Sequence, residues 1–259
     1  MATSVIAVGD ELLAGFQQDT NSHWLAERLR LLGFPLKRIT VVTDRTEDVV
    51  EQLRRDLSDA EVEDVYCCGG LGPTPDDRTF EAVAAALGRE LVTWQPVLER
   101  IQRRVDRMHA AGLIESAEVS EGNVRMARIP AAPDHVFRNR GGMAPGLLYL
   151  VEGRRLFVLP GVPSELKGIF TKEIEPEFLT GRSAAVVREL RFLFAVEAGF
   201  YPVMRELEAS HSDVSVGSYP NFETRELVIR FLGDDPGRVA EAMDIVRRHV
   251  APMGLTPIS

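Results

Sequence analysis

The sequence predicts an α/β protein in which a mainly parallel sheet carries helices on both faces, followed by a smaller α+β unit. Three observations predict it. Apolar runs alternate with amphipathic segments through the first half, in the order β-α-β-α-β-α that produces a parallel sheet. Glycine- and acid-rich segments follow the apolar runs, where open sheets of this kind collect ligands beyond the carboxyl ends of their strands. Composition then shifts at Thr180-Gly181-Arg182-Ser183, and the order becomes β-α-β-β-α with a possible last strand, the split βαβ pattern. The expected domains are residues 1–180 and 181–259.

Each element has a local cause. Residues 4–8, Ser-Val-Ile-Ala-Val, form a short apolar run that ends at Gly9 and suits a buried strand. Residues 21–32 read as a helix with Leu25, Leu29 and Leu32 on one face, Thr20 as cap and Gly33 as stop. Residues 36–42 read as a second strand. Residues 46–57 read as a second helix, with Thr46 as N-cap and Glu47 and Asp48 in its first turn. Residues 64–68 are a third strand, and residues 79–87 a third helix closed by Gly88. Residues 95–111 read as a long charged helix lying on the surface, and 112–134 as less regular chain. Residues 146–150 and 156–159 read as strands around Glu152-Gly153-Arg154, and residues 163–170 as a helix opened by Pro163. In the tail, 189–196, 214–219, 226–232 and 255–258 read as strands, with helices at 201–209 and 238–250.

Composition narrows the function. The chain has 259 residues, 45% of them hydrophobic, and a net charge of −9. A core of ordinary size is expected, and non-specific nucleic-acid binding is not, because it needs excess positive charge. No apolar run approaches the length of a membrane span, so no membrane partner is expected. The N-terminus carries no secretory signal pattern. The two cysteines, Cys67 and Cys68, are adjacent and read as buried thiols, which fits a cytoplasmic protein. The five histidines show no zinc-binding spacing, and Ser164 lies outside any nucleophile elbow.

The strongest chemical signal is the segment from Gly69 to Asp77, which contains Gly69, Gly70 and Gly72 and ends in Asp76-Asp77. Backbone N–H groups of such a loop, with the helix that follows, make a phosphate cradle. Carboxylates beside a phosphate need a reason, and a divalent cation supplies one. Asp10-Glu11 and Asp44 belong on the same rim. Two further clusters, Asn139 to Gly146 and Leu159 to Glu165, add turns with backbone donors; Asn139 and Glu165 are the side chains there with ligand chemistry.

Four motifs then occur in a familiar order: Gly9-Asp10-Glu11-Leu12-Leu13 with Gly15 and Asp19-Thr20-Asn21; Gly69-Gly70-Leu71-Gly72-Pro73-Thr74 with Asp76-Asp77; Asn139 with Gly142 and Ala144-Pro145-Gly146; and Leu159-Pro160-Gly161-Val162-Pro163 with Glu165. Together, over residues 4–175, they resemble the amino-terminal domain of the competence/damage-inducible protein CinA family, within the molybdopterin-binding, MoaB/MogA-like superfamily. The tail from about 185 resembles the KH-type subdomain of that family. The resemblance implies a three-layer α/β/α sandwich. It also implies metal-dependent pyrophosphate hydrolysis of ADP-ribose, FAD or a related dinucleotide. Alternatively it implies binding and adenylylation of a pterin phosphate in molybdenum cofactor biosynthesis. A non-catalytic nucleotide-binding sensor is a third reading. The acidic positions that matter in the pterin branch match Asp44 and Asp77.

The expected catalytic residues are Asp44, Asp76 and Asp77. Asp10, Asp44, Asp76 and Asp77 are the expected ligands of Mg²⁺, Mn²⁺ or Co²⁺, with ligand and general base not distinguished. The expected substrate-contacting set is Gly9, Asp10, Glu11, Asn21, Gly69, Gly70, Gly72, Thr74, Thr79, Asn139, Gly142, Ala144, Pro145, Gly146, Pro160, Gly161 and Glu165. The chain is too short for the carboxyl-terminal amidohydrolase domain of longer relatives, so deamidation of nicotinamide mononucleotide is not expected. The tail lacks Gly-x-x-Gly and carries, from residue 188 onward, 8 basic and 11 acidic residues. It is expected to mediate a homodimer or higher homo-oligomer rather than bind RNA.

Overall fold

The computed structural model describes residues 2–258; Met1 and Ser259, the outer bounds of the two expected domains, lie outside the described residues. The chain divides after Arg182 into two compact units. In the first come β1 (Ala2–Val8), α1 (Asp10–Leu13), α2 (Thr20–Leu31), β2 (Leu36–Val42), α3 (Thr46–Ser58), β3 (Val62–Cys68) and α4 (Thr79–Leu87); apart from the short α1, which was not expected, strands and helices alternate as expected. Next come β4 (Leu91–Thr93), α5 (Gln95–Ala110), α6 (Glu121–Arg125), β5 (Arg128–Pro130) and β6 (His135–Phe137). The hairpin β7 (Gly146–Val151) and β8 (Arg154–Leu159) leads into α7 (Pro163–Ile169), a π-helical turn over Phe170–Ile174, and α8 (Glu175–Phe178).

The main sheet has the order β2-β1-β3-β8-β7-β6. Its β2, β1, β3 and β8 are parallel, while β7 runs against both β8 and β6. The fold is therefore α/β with a mostly parallel sheet. The sheet is apolar on both faces. Val65 and Cys67 of β3 join one core with Val49, Leu53 and Val83, while Tyr66 and Cys68 join the other with Leu25, Leu29 and Phe170. Alternation along a strand sends consecutive side chains to opposite faces, so a strand covered on both sides reads as a continuous apolar run. The adjacent cysteines thus face opposite layers, and both are free and buried.

Several local expectations change. The cap of α2 is Asp19, whose carboxylate accepts from the Ser22 N–H at 2.9 Å; Thr20 is already helical. Helix α3 starts after Arg45, so Thr46 sits inside it rather than capping it. Helix α5 does more than lie on the surface: Val97, Ile101 and Val105, one turn apart, are buried against the sheet. β4 and β5 form a two-stranded antiparallel sheet that three-residue strands are too short to announce by periodicity.

The second unit comprises β9 (Val186–Leu193), α9 (Tyr201–Ser210), β10 (Val214–Asn221), β11 (Glu226–Gly233) and α10 (Pro236–Val250). Its sheet is antiparallel in the order β10-β11-β9. Phe192, Phe200, Leu207, Phe231 and Val246 fill its own core. Residues 255–258 do not form the expected last strand; Ile258 N–H donates to Arg191 O, Leu255 N–H turns back to Val250 O, and Pro257 has no N–H to extend a ladder. Among the described residues no helix is long and apolar enough to cross a membrane.

Candidate functional site

The carboxyl ends of β1, β2 and β3, with the turns after Phe137 and β8, surround a cavity of about 710 Å³. The parallel register brings them together: Val8 pairs with Val42 across β1 and β2, and Ala7 with Cys68 across β1 and β3. Segments 34 and about 60 residues apart in the chain thereby share one rim.

The glycine loop is held in place from outside the cavity. Gly69 has φ +106°, and a side chain there would put Cβ 2.3 Å from Val8 O. Gly70 has φ +64°, and its Cβ would lie 2.3 Å from Thr79 Oγ1. Only glycine fits both positions. The Gly69 N–H is already used, donating to Leu159 O at 3.0 Å, and buried Thr79 donates through Oγ1 to Gly69 O at 2.8 Å. Gly70, Leu71 and Gly72 have N–H groups without a protein acceptor among the described residues. The available cradle is thus one residue further along than the glycine pattern suggests.

The acidic groups differ in their surroundings. Half-buried Asp44 accepts from the Asp10 backbone N–H at 2.8 Å. Burial pushes its pKa up, and the negative charges of Asp10, Glu11 and Asp76 push the same way, against that hydrogen bond. Asp77 accepts from Thr74 N–H at 2.9 Å and Thr74 Oγ1 at 2.5 Å, and so closes the end of the loop. Asp76 is exposed and is held below the ordinary carboxylate range. The Thr74 hydroxyl is the first cause, although its short bond goes to Asp77; the backbone N–H of Asp76 is the second, and Arg78 and Arg125 add to it. Arg125 donates to Asp77 O at 2.7 Å and to Glu81 at 3.1 Å, anchoring the loop to α4.

The opposite wall is built around Asn139. Its Oδ1 accepts from Gly141 and Gly142 N–H at 3.0 and 2.8 Å, while Nδ2 donates to Ala144 O at 2.9 Å and Glu165 Oε2 at 2.6 Å. Four bonds on one buried amide order the whole turn. A Cβ on Gly142 would fall 2.0 Å from the Glu165 carboxylate, so the turn packs directly on α7.

Of the expected residues, Glu11, Asp44, Gly69, Gly70, Gly72, Asp76, Asp77, Gly142, Ala144, Pro160, Gly161 and Glu165 line the cavity. Gly9, Asp10, Asn21, Thr74, Thr79, Asn139, Pro145 and Gly146 do not, and several act from behind it. Asn21 Nδ2 donates to Gly161 O at 2.6 Å, tying α2 to the turn after β8. Asp10 contributes its backbone. Sequence reasoning missed Gln17, Arg104, Met108, Met126 and Met143, which also line the cavity. Arg104 is the only cation among the described lining residues, and its Nη2 donates to Gly141 O at 2.9 Å. Its signal was available as an arginine on the sheet-proximal flank of an amphipathic helix.

The donor set suits a hard cation. Among the described residues no three His, Cys, Asp or Glu side chains converge into a ready-made cation site. Mg²⁺-type ions, however, are commonly held by one or two carboxylates, with phosphate oxygens and water completing the shell. The mutually repelling carboxylates around Asp44 fit that chemistry.

Residues 4–180 match the family described as "Probable molybdopterin binding domain". The chain belongs to this family. The match runs from within β1 to just past α8 and includes the described residues that line the cavity. The chain is 33% identical over 244 residues to Protein TK1472 of Thermococcus kodakarensis, covering 94% of this chain and 95% of that protein. It is 34% identical over 261 residues to a protein of Aeropyrum pernix, covering 96% and 94%. Among solved structures it is similar to the protein CinA, of unknown function, from Thermoplasma acidophilum, with a TM-score of 0.59 and 32% identity, covering 68% of this chain and 96% of that one. The domain that matches this family thus has its acidic rim, glycine loop and Asn139 turn on one concave surface.

Proposed function

We propose that the protein is a CinA-type, divalent-metal-dependent nucleotide pyrophosphatase acting on ADP-ribose, FAD or a related dinucleotide. The observation that carries this reading is the shared cavity of about 710 Å³, whose lining brings together Gly70, Leu71 and Gly72, with N–H groups that have no protein acceptor among the described residues, Asp44, Asp76 and Asp77, and Arg104. That volume lies in the range of small-molecule and cofactor sites.

The N–H groups of Gly70, Leu71 and Gly72 bind and orient the diphosphate, and the Arg104 guanidinium neutralises part of its charge. One or two of Asp44, Asp76 and Asp77 would hold a divalent cation together with phosphate oxygens; when bound, it supplies charge stabilisation at those oxygens and a more acidic water. Asp44, with its raised pKa, is a better proton acceptor than Asp76. Asp76, held ionised, is the better permanent charge. The walls contributed by Met108, Met126 and Met143 exclude bulk water from one side of the phosphates.

The test is incubation with ADP-ribose or FAD in the presence of Mg²⁺, Mn²⁺ or Co²⁺, with AMP measured by chromatography. AMP formation that requires the metal and is lost in Asp77→Asn supports the reading. No AMP with any of these metals overturns it. The family match favours a second reading, binding of a pterin phosphate, which retained pterin fluorescence in the purified protein would support.

A further inference from the structure

A second cavity, of about 790 Å³, lies on the other flank of α5 and has no part in the chemistry above. Four arginines line it, Arg100, Arg103 and Arg107 from α5 and Arg138 after β6, together with Trp94, and Asp106 is the only acidic residue among the described lining residues. Such a concentration of positive charge is unusual on a chain of net charge −9. Its carboxylate partners are few. Asp106 accepts from Gln102 at 2.8 Å, and Glu99 reaches Arg103 only at 3.8 Å. Glu173 is turned to the Arg138 backbone N–H and to Arg140.

Arg100 is the telling residue. Its Nε is buried and has no hydrogen-bond partner, while its Nη2 donates to Met143 O at 3.1 Å. An unpaired guanidinium donor taken out of water is costly, and Arg138 and Arg103 crowd it with like charge that Glu173 only partly offsets. An anion in the cavity would offset that like charge.

We propose that this cavity is a binding site for a small molecule carrying two or more phosphate groups, and that its occupancy is felt at the first cavity through α5. The connection is short. Arg100 holds Met143 O, and one turn further along Arg104 holds Gly141 O at 2.9 Å. Residues 141–143 form a wall of the first cavity. An anion that draws the Arg100 guanidinium toward the second cavity loosens one of the two arginine contacts on that wall. The site stands independently of the pyrophosphatase reading, since it is argued from different residues and tested without turnover.

The experiment titrates inorganic pyrophosphate into the full-length protein and follows Trp94 fluorescence, with Trp94→Phe identifying the signal. Arg103 and Arg107 are exposed, so the double variant Arg103→Gln/Arg107→Gln removes charge without opening the core. A saturable Trp94 response whose apparent Kd rises at least about tenfold in the double variant, and weakens with added salt, is the expected result. Hydrogen exchange of residues 139–146 should change on saturation in the wild type and much less in the double variant at the same pyrophosphate concentration. No Trp94 response, or the same Kd in the double variant, overturns the site. Unchanged exchange at 139–146 overturns the coupling. A double variant that sediments at a lower mass than wild type, with no pyrophosphate response in either protein, also overturns the proposal and assigns the arginines to contact between copies.

Discussion

Asp44 shows how one side chain sets opposing demands on stability and chemistry. Its pKa is raised, first by burial and then by the charges of Asp10, Glu11 and Asp76, so between the ordinary carboxylate range and that raised value the folded chain holds more protons than the unfolded one. Wild-type stability therefore falls as pH rises through that window and stays lower above it. Asp44→Asn keeps an oxygen to accept from the Asp10 N–H but carries no charge. It should raise Tm by about 2 °C at neutral pH, with no gain at pH values below the ordinary carboxylate range, while abolishing metal-dependent turnover. A calorimetric pH series checks the first effect, and an unchanged Tm at neutral pH would refute it. The thiols give a second test. Burial pushes Cys67 up to about 12 and Cys68 well above its usual value. Neither should react with iodoacetamide at pH 8 in the native protein, and both should react in 6 M guanidinium, as mass spectrometry would record.

At the scale of elements, two junctions carry the architecture. The turn between β6 and β7 depends on Asn139, whose amide makes four bonds while only 3% exposed. Asn139→Ala should cost about 2–4 kcal/mol by urea unfolding, because two backbone N–H groups and the Glu165 carboxylate lose their partner together. The strands β3 and β8 are clamped by Arg155, which donates to Asp64 at 2.6 and 2.7 Å. Burial raises Asp64 more than Arg155 lowers it, so this is a desolvated pair held by geometry. Arg155→Ala leaves that carboxylate buried without its bidentate partner and should cost about 3–5 kcal/mol, whereas Asp64→Asn/Arg155→Met should cost less than the single change. Equal losses in the single and double variants would refute the coupling. The capping expectations failed at this same scale: Thr20 and Thr46 have cap-forming chemistry, but Asp19 or the approach from Arg45 set where each helix starts. Cap identity turns on one backbone dihedral, which sequence patterns locate only to within a residue or two.

At the scale of the molecule, the first unit has a core on each face of its sheet, the second unit has its own, and an exposed, irregular connection joins the units around 180–185. Segments without regular hydrogen bonds are where proteases enter first. Limited subtilisin digestion should cut within 183–185 and release two resistant fragments, identifiable by mass. Early cleavage inside either core instead would refute the division. The candidate cavity lies wholly in the first unit.

The sequence by itself determined the parallel α/β order, because buried strands and amphipathic helices differ in period, and those periods are written in the apolar residues one after another. It also determined which segments would reach the rim, since every loop after a parallel strand must emerge on the same side. It marked the glycine loop, the acidic positions and Asn139 as chemically unusual. Only the tertiary structure decided their roles. Thr79, Asn21 and Asn139 turned out to brace the cavity from behind, and the Gly69 N–H turned out to be used by Leu159. Arg104 and Arg100, four residues apart on a helix expected to lie at the surface, ended beside two different cavities. The physical reason is range. Periodicity and turn chemistry act between near neighbours in the chain. Which donor is satisfied, which carboxylate is crowded and which arginine is left unpaired depend on groups 30 to 150 residues away that only the closed sheet brings together.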